Sequence, residues 1–150
     1  MRVSTQFPIA VHALMMVAYF PETRITSDLA AESAGCNSVI IRNIFLKLKK
    51  AGLLSVRPGR GKMKLAKPIS DITLWDIYSA VETDETDEIF KFHPNTSDTC
   101  PVGCNIRCLL LSHLDNAVAA MRAELSSVTL EDLTQELKTF PSTMEQGSSS

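Results

Sequence analysis

Acidic residues are missing from one long stretch of this chain. No Asp or Glu occurs between Ser33 and Ser70, although the whole sequence contains 17 acids against 15 Lys and Arg residues. More than half of the basic residues lie in this stretch, namely Arg42, Lys47, Lys49, Lys50, Arg57, Arg60, Lys62, Lys64 and Lys67. A basic block without acids predicts a surface that contacts phosphates, and the plain alternative is a solvated charged face. Residues 71–100 are acidic instead, so the charge of the two parts differs in sign.

Long apolar runs are also missing. None approaches the roughly 20 residues that a membrane span needs. The N-terminus is interrupted by Gln6, Pro8 and His12 and lacks the features of a signal peptide. We therefore expect a cytoplasmic protein with no membrane partner. The sequence also lacks a nucleophile–base pair, a phosphate loop and paired carboxylates, so an enzyme is not expected.

The basic stretch begins with the pattern of a helix-turn-helix. Thr26 is a suitable N-cap for a helix over residues 27–34, and Gly35 is a suitable C-cap. A second helix, capped by Asn37 or Ser38, follows after a short turn. Two short helices joined by a turn that contains Gly are typical of a helix-turn-helix unit.

A small β-hairpin completes this unit as a winged version. Residues 53–57 and 62–66 read as two strands, and the turn between them contains two glycines. The turn carries Arg60 at its tip, with Arg57 and Lys62 at its base. The sequence thus predicts a mainly α fold with a small β wing.

The second half of the chain is helical. Thr73 and Asp76 form an approximate capping box for a helix over residues 74–81. Residues 101–125 form the longest helical pattern, with a broad apolar stripe, and a short helix over 130–137 follows. Because a long apolar helix on a small protein needs a partner, we expect a homodimer formed through it.

These patterns divide the chain into four parts. We expect a winged helix-turn-helix domain over residues 1–82 and an acidic linker over 83–99. A dimerisation helix and the short last helix follow over 100–138, and residues 139–150 form a flexible tail.

Three cysteines, Cys100, Cys104 and Cys108, recur every four residues. If Pro101 begins the long helix, Cys100 is its N-cap, where the helix dipole favours a thiolate. Cys104 and Cys108 lie one turn apart, which suits a metal or cluster better than an undistorted disulfide. Three interpretations stay open: redox sensing through Cys100, a metal or iron–sulfur site on all three thiols, and packing without a sensory role. Cys36, in the turn before the second helix, is expected to be structural.

The whole pattern resembles the Rrf-two family of bacterial winged-helix transcription regulators. The resemblance runs from Met1 to about Leu137. It is carried by MRVS followed by AVHAL, by LAAESAG and IRNIFLKLKKAGLL, by SVRPGRG, by DITLWDIYSAVE and by TLEDL. The segment CPVGCNI is most similar to a cluster-free subgroup that keeps one cysteine before Pro-Val-Gly and, in some members, senses oxidants with it.

This resemblance implies a homodimer that binds double-stranded operator DNA. Recognition helices would enter successive major grooves, and the wings would reach the minor groove or the backbone. The implied DNA-binding residues are Asn37, Ser38, Val39, Arg42 and Arg57, to which the charge pattern adds Lys49, Lys50, Arg60 and Lys62.

The sequence therefore predicts a dimeric, sequence-specific DNA-binding repressor that responds to oxidation or electrophiles through Cys100, with Cys104 and Cys108 as further redox candidates. The alternatives are a regulator with an iron–sulfur cluster on these three cysteines and a metal or redox protein that does not bind DNA. In the leading interpretation no cofactor is required.

Overall fold

Six helices and one two-stranded sheet make up the part of the chain that the structure describes. This structure is a computed structural model, and it describes residues 4–56, 62–82, 90 and 92–140. In chain order the elements are α1 (Gln6–Tyr19), α2 (Ser27–Ala34), α3 (Ser38–Lys50), β1 (Leu54–Val56), β2 (Met63–Leu65), α4 (Leu74–Val81), α5 (Pro101–Ser127) and α6 (Leu130–Thr139). A single 3-10 turn, Ile69–Asp71, precedes α4.

Local capping signals place α2 and α3 where the sequence predicts them. The Thr26 hydroxyl accepts a hydrogen bond from the Leu29 N–H at 3.1 Å, which satisfies a free donor at the start of α2. Gly35 ends that helix in the left-handed conformation, with φ 69°, which glycine adopts without strain. The Asn37 side chain then caps α3 by accepting the Val39 N–H at 2.8 Å. The predicted helix-turn-helix unit is confirmed.

The wing is an antiparallel pair of strands. Leu54 pairs with Leu65, and Val56 pairs with Met63. β1 begins one residue later than its prediction, and β2 is one residue shorter at both ends than its prediction. The turn residues 57–61, which include Arg57 and Arg60, lie outside the described residues. The strands and the helix-turn-helix confirm the predicted mainly α fold with a small β wing.

The hydrophobic core lies between α1, α2, α3 and α4. The apolar face of α3 contributes Ile41, Ile44 and Leu48, which are all fully buried. These positions are spaced three and four residues apart, so they share one face of the helix. From the other helices come Ala10, Ala13 and Leu14 of α1, Ala30 and Ala31 of α2, and Ile77 and Val81 of α4.

The last helix packs into this same core. The Leu130 N–H donates to the Ile72 carbonyl at 2.8 Å, and Thr73 forms a β-bridge with Thr129. The Leu130 side chain is completely buried. The sequence groups this helix with the predicted dimerisation helix. In the structure its first turn pairs with the chain just before α4 and packs against the same core, and the division of the chain into domains stays a prediction.

The ends of the other helices differ little from their predictions. α5 continues two residues beyond residue 125, and α6 continues two beyond residue 137. Thr139 is therefore helical, and residues 141–150 of the predicted tail lie outside the described residues, as do residues 83–89 and 91 of the predicted linker.

Helix α5 packs on the winged domain but contains no buried residue. Its half-buried residues include Leu114, Val118 and Met121, which recur at heptad-like spacing. Arg122 of α5 lies over the Trp75 ring of α4, with its Cζ atom 5.6 Å from the ring centroid. Among the described residues, no helix is both long and apolar enough to cross a membrane.

Candidate DNA interface and thiol site

One face of α3 is open to solvent along its whole length. Val39 is 52% exposed and Leu46 is 62% exposed, and Arg42 is also exposed. The opposite face is buried, since Ile41 and Ile44 have no exposed surface. A helix fixed by one face and free on the other is suited to lie in a major groove.

The start of α3 carries two further predicted residues. Asn37 is exposed, but its Oδ1 atom is engaged as the helix cap. Ser38 is half-buried as the first helical residue. The structure therefore gives Asn37 a structural role in starting α3, in addition to its predicted contact with DNA.

Sequence reasoning missed Asn43, which shares the exposed face of α3. Positions 39, 43, 46 and 50 fall within about 60° of one another around a helix of 3.6 residues per turn. Asn43 and Leu46 are both exposed at this face. An amide side chain can pair with both edge groups of adenine in the major groove. Asn43 lies four residues after Val39, so helical spacing predicts that both share one face. The prediction instead relied on charge and therefore named the basic residues.

The predicted phosphate contacts lie at the end of α3 and beside the wing. Lys49 and Lys50 are exposed in the last turn of α3, where they also favour the carbonyl end of the helix. Lys62 is half-buried and leads into β2. Arg57 and Arg60 fall outside the described residues, so their contribution stays a prediction.

Cys100 is the N-cap of α5, as predicted, and its side chain is exposed. No side-chain hydrogen bond caps the helix there, but the first-turn N–H groups face the thiol as partial positive charges. The N–H of Gly103, and after it that of Val102, holds the pKa of the Cys100 thiol below its ordinary value. A lower pKa increases the thiolate fraction at neutral pH, and the thiolate is the reactive form.

The segment before Cys100 is folded back on the first turn of α5. The Ser97 hydroxyl accepts the N–H groups of Thr99 at 3.3 Å and of Cys100 at 3.2 Å. The Ser97 backbone also lies so close to Gly103 that a Cβ there would meet the Ser97 carbonyl oxygen at 2.9 Å. Because residue 103 is a glycine, the Ser97 backbone can lie directly against it, and this contact fixes the position of Cys100.

The other cysteines have different surroundings. Cys104 and Cys108 are exposed on the following turns of α5, and the Asn105 amide donates to the Cys104 sulfur at 3.3 Å. Cys36 is half-buried and packs against the core, which agrees with the expected structural role.

A family model covers almost the whole chain. The model Rrf2, described as an iron-dependent transcriptional regulator, matches residues 3–136. The chain belongs to the Rrf2 family. This confirms the resemblance, and the chain is accordingly a transcriptional regulator of the Rrf2 type with a DNA-binding fold.

The similar proteins are regulators, not enzymes. YwnA of Bacillus subtilis, which is described as an HTH-type transcriptional regulator, is 33% identical over 135 residues, covering 90% of this chain and 98% of YwnA. A crystal structure of a transcriptional regulator from Lactobacillus plantarum is 26% identical, with a TM-score of 0.73, and covers 95% of this chain and 96% of that one. The structure of T. potens IscR has a TM-score of 0.67 at 24% identity over 97% of this chain and 96% of that one, which shows the shared fold.

The family description names iron, so the three thiols of α5 need to be tested as ligands. Cys100 and Cys108 are eight residues apart on one helix, which separates them by about 12 Å along its axis. Within the described ranges, no three His, Cys, Asp or Glu residues are grouped closely enough to hold a metal ion. Cys100, Cys104 and Cys108 therefore do not fit a cluster on these three thiols of one chain.

Proposed function

We propose that this Rrf2 regulator is a cytoplasmic homodimer that represses transcription by binding a specific operator and releases it when Cys100 is oxidised or alkylated. The observation that carries DNA binding is the exposed face of α3, opposite the fully buried Ile41 and Ile44. Val39, Arg42 and Asn43 on this face offer an apolar contact for a thymine methyl, a guanidinium for guanine and an amide for adenine.

The proposed homodimer uses α5. Val102 is 63% exposed and Leu109 is 59% exposed, and Leu110 and Leu111 are exposed as well. Large apolar side chains that are left exposed on a helix are typical of an interface between subunits. Two copies joined by their long helices would present their two α3 helices, the reading helices, to successive grooves of one operator.

The proposed signal is a peroxide or an electrophile. With a peroxide, the Cys100 thiolate attacks one oxygen, the O–O bond breaks, and an S–O bond forms as the sulfur loses two electrons to the leaving oxygen. The resulting sulfenic acid can condense with a second thiol to a disulfide with loss of water. Cys104 or Cys108 of the other subunit, or a small thiol, would supply that second sulfur. With an electrophile that carries an activated carbon–carbon double bond, the thiolate adds to one carbon, the π bond breaks, and the other carbon takes a proton from water.

The geometry at Cys100 supports this role over that of the other cysteines. Cys100 combines an exposed side chain with N–H groups that favour its thiolate, and Gly103 and Ser97 hold it in that position. Cys36 packs against the core, where oxidants have less access.

The test begins with a duplex enriched from a random library by the reduced protein. Binding of this duplex is measured by fluorescence anisotropy before and after treatment with hydrogen peroxide and, separately, with N-ethylmaleimide. We expect wild type to lose affinity with both reagents and Cys100→Ser to keep it. Cys104→Ser, Cys108→Ser and Cys36→Ser serve as matched controls, and Cys36→Ser should respond like wild type.

Two outcomes would contradict this proposal. If no duplex is enriched, the chain does not bind specific DNA under these conditions. If Cys100→Ser still releases DNA on oxidation, another group is the sensor. A brown protein, purified without oxygen and absorbing at about 400 nm, would support a cluster in place of a thiol sensor.

A further inference from the structure

The end of α3, the start of α1 and the end of α4 meet at Lys47, an exposed residue of α3. The Lys47 ammonium donates to the Gln6 Oε1 atom at 2.8 Å and to the Val81 carbonyl at 3.4 Å. Gln6 is the first residue of α1, and Val81 is the last residue of α4. Lys47 therefore ties α3 to the start of one helix and to the end of another.

The two helix ends that Lys47 contacts are also joined to each other. The Glu82 carboxylate accepts the Ser4 hydroxyl at 2.6 Å and the Phe7 N–H at 3.1 Å. The residue before α1, Thr5, makes no side-chain capping hydrogen bond. The Ser4 hydroxyl accepts the Gln6 N–H at 3.2 Å, so Ser4 and Glu82 together cap the first turn of α1, and Glu82 fixes the start of α1 to the end of α4.

A stack of rings connects this junction to α5. The Arg122 guanidinium of α5 lies over Trp75, and the Trp75 ring stacks on Tyr78 with centroids 5.3 Å apart. Tyr78 in turn meets the Phe7 ring edge-on at 5.7 Å. Tyr78 is only 7% exposed, and its burial, together with the nearby Glu82 carboxylate, raises its pKa. The phenol stays neutral at ordinary pH, so the stack does not depend on pH there.

We propose that Lys47 is a positioning residue through which the state of α5 reaches the reading helix, by way of the Arg122–Trp75–Tyr78–Phe7 stack and the junction of α1 with α4. This inference rests on the proposed function, because it names the residues that connect α5, which Cys100 caps, with the exposed face of α3. The inference also gives Lys47 a different role from Lys49 and Lys50. Within the described part of the chain, those two lysines make no hydrogen bond to another helix, and we assign them to phosphate contacts.

A route of this kind has to work in both directions. If the state of α5 changes the affinity of α3 for DNA, binding of DNA to α3 must bias α5 by the same coupling free energy. The chain has one tryptophan, Trp75, and it lies on this route between Arg122 and Tyr78. Its fluorescence therefore reports on the contact between α4 and α5 when DNA binds at α3.

The experiment follows Trp75 emission while the enriched duplex is added to saturation. We expect wild type to show a shift in emission wavelength or intensity on binding. Lys47→Met keeps the aliphatic stem but removes the hydrogen bonds to Gln6 and Val81, so the variant should bind at higher DNA concentration with the Trp75 shift lost. Lys49→Met is the matched control and should keep the shift, while the salt dependence of its binding falls by about one unit of slope.

A purely structural role for Lys47 predicts a different result. Lys47→Met would then be less stable but would show the full Trp75 shift once saturated with DNA, and that outcome would overturn the proposal. An absent shift in wild type would overturn it as well. If Lys47→Met does not fold, Gln6→Met removes the acceptor on the other side of the contact and is expected to lose the shift in the same way.

Failure of the route and failure of the proposed function give different results. If the library yields no enriched duplex, specific DNA binding fails, and the route falls with it. If a duplex is enriched and Lys47→Met keeps the full shift, the regulator stands and only the route is excluded.

Discussion

The backbone of Ser97 lies against the α-carbon of Gly103, leaving no room for a side chain there. An added Cβ would stand 2.9 Å from the Ser97 carbonyl oxygen and 3.0 Å from its nitrogen. Both atoms belong to the backbone, so neither can rotate away as the end of a flexible side chain would. The same Ser97 accepts the Cys100 N–H, and the position of the thiol therefore depends on this contact.

Gly103→Ala should displace residues 97–100 and slow the alkylation of Cys100 at neutral pH. We expect a decrease on the order of twofold to tenfold, since the thiolate fraction sets the rate. The rate is measured with iodoacetamide in a protein in which Cys36, Cys104 and Cys108 are replaced by serine. Asn116→Ala, at an exposed site on the same helix, should leave the rate unchanged. Equal rates for Gly103→Ala and its parent would show that the thiol does not depend on this approach.

The alkylation rate of Cys100 should depend on pH in a characteristic way. The N–H groups of Gly103 and Val102 lower the pKa of the thiol, so the thiolate forms at a lower pH than in an unfolded chain. The rate in the folded protein should therefore reach its plateau at lower pH than in urea, where a free thiol has a pKa of about 8.5. A midpoint that stays in place when the protein unfolds would contradict the assigned cause.

Asn43 and Lys50 should affect DNA binding in different ways. Asn43→Ala is expected to cost about 1–3 kcal/mol of discrimination at one base pair, with the salt dependence unchanged, because an amide reads a base edge. Lys50→Met should weaken all sequences alike and lower the salt slope by about one, because a lysine at a phosphate releases one counterion. Binding of single-site variants of the enriched duplex at several salt concentrations separates the two effects. A reduced salt slope in Asn43→Ala would speak against base reading.

Leu109→Glu should weaken the proposed dimer. Leu109 is 59% exposed on α5, and a carboxylate in an apolar interface has no partner and loses its hydration. We expect a loss of about tenfold or more in dimer affinity, measured by sedimentation at several protein concentrations. Asn116→Glu adds the same charge at a polar position of the same helix and serves as the control. A dimer that persists equally in both variants would point to an interface elsewhere.

Leu130→Ala should destabilise the winged domain, although the residue lies near the end of the chain. Leu130 is completely buried, and truncation of such a leucine removes about 2–5 kcal/mol of unfolding free energy. Leu137→Ala, at a position that is 38% exposed on the same helix, should change stability by roughly 0.5 kcal/mol or less. Urea unfolding measures both. Similar values for the two variants would mean that α6 does not belong to this core.

Local chemistry made the helices of the winged domain predictable. Thr26 and Asn37 cap the starts of α2 and α3, and Gly35 ends α2. Each of these contacts spans only a few residues, so the local sequence contains both partners. The same holds for Cys100 as the N-cap of α5, because Pro101 marks the first helical residue.

Contacts between segments that are distant in sequence were less predictable. The capping box of Thr129 with Asp132 is local and marks where α6 begins, but nothing in the neighbouring sequence indicates that the Leu130 N–H donates to the Ile72 carbonyl. The partner of an amphipathic helix depends on tertiary packing, which local pattern does not specify. For the same reason, the contact between Lys47 and the ends of α1 and α4 could not be read from charge alone.

The candidate DNA interface was predictable in part. The buried face of α3 follows from its apolar spacing, and its exposed face follows by subtraction. Val39 and Arg42, which the resemblance implies as DNA-binding residues, both lie on the exposed face. Asn43 was missed because uncharged polar residues give little signal beside nearby cations. The wing residues Arg57 and Arg60 stay predictions.

The cap that Glu82 provides for α1 has a consequence for the order of folding. Glu82 and Phe7 are 75 residues apart, and the core is completed only by Leu130. During synthesis, the first helix therefore leaves the ribosome long before the groups that hold its start, and the reading helix emerges before its core is closed. A chain with such distant contacts gains its stability late, so a truncated product that ends before Leu130 should be a ready substrate for proteases.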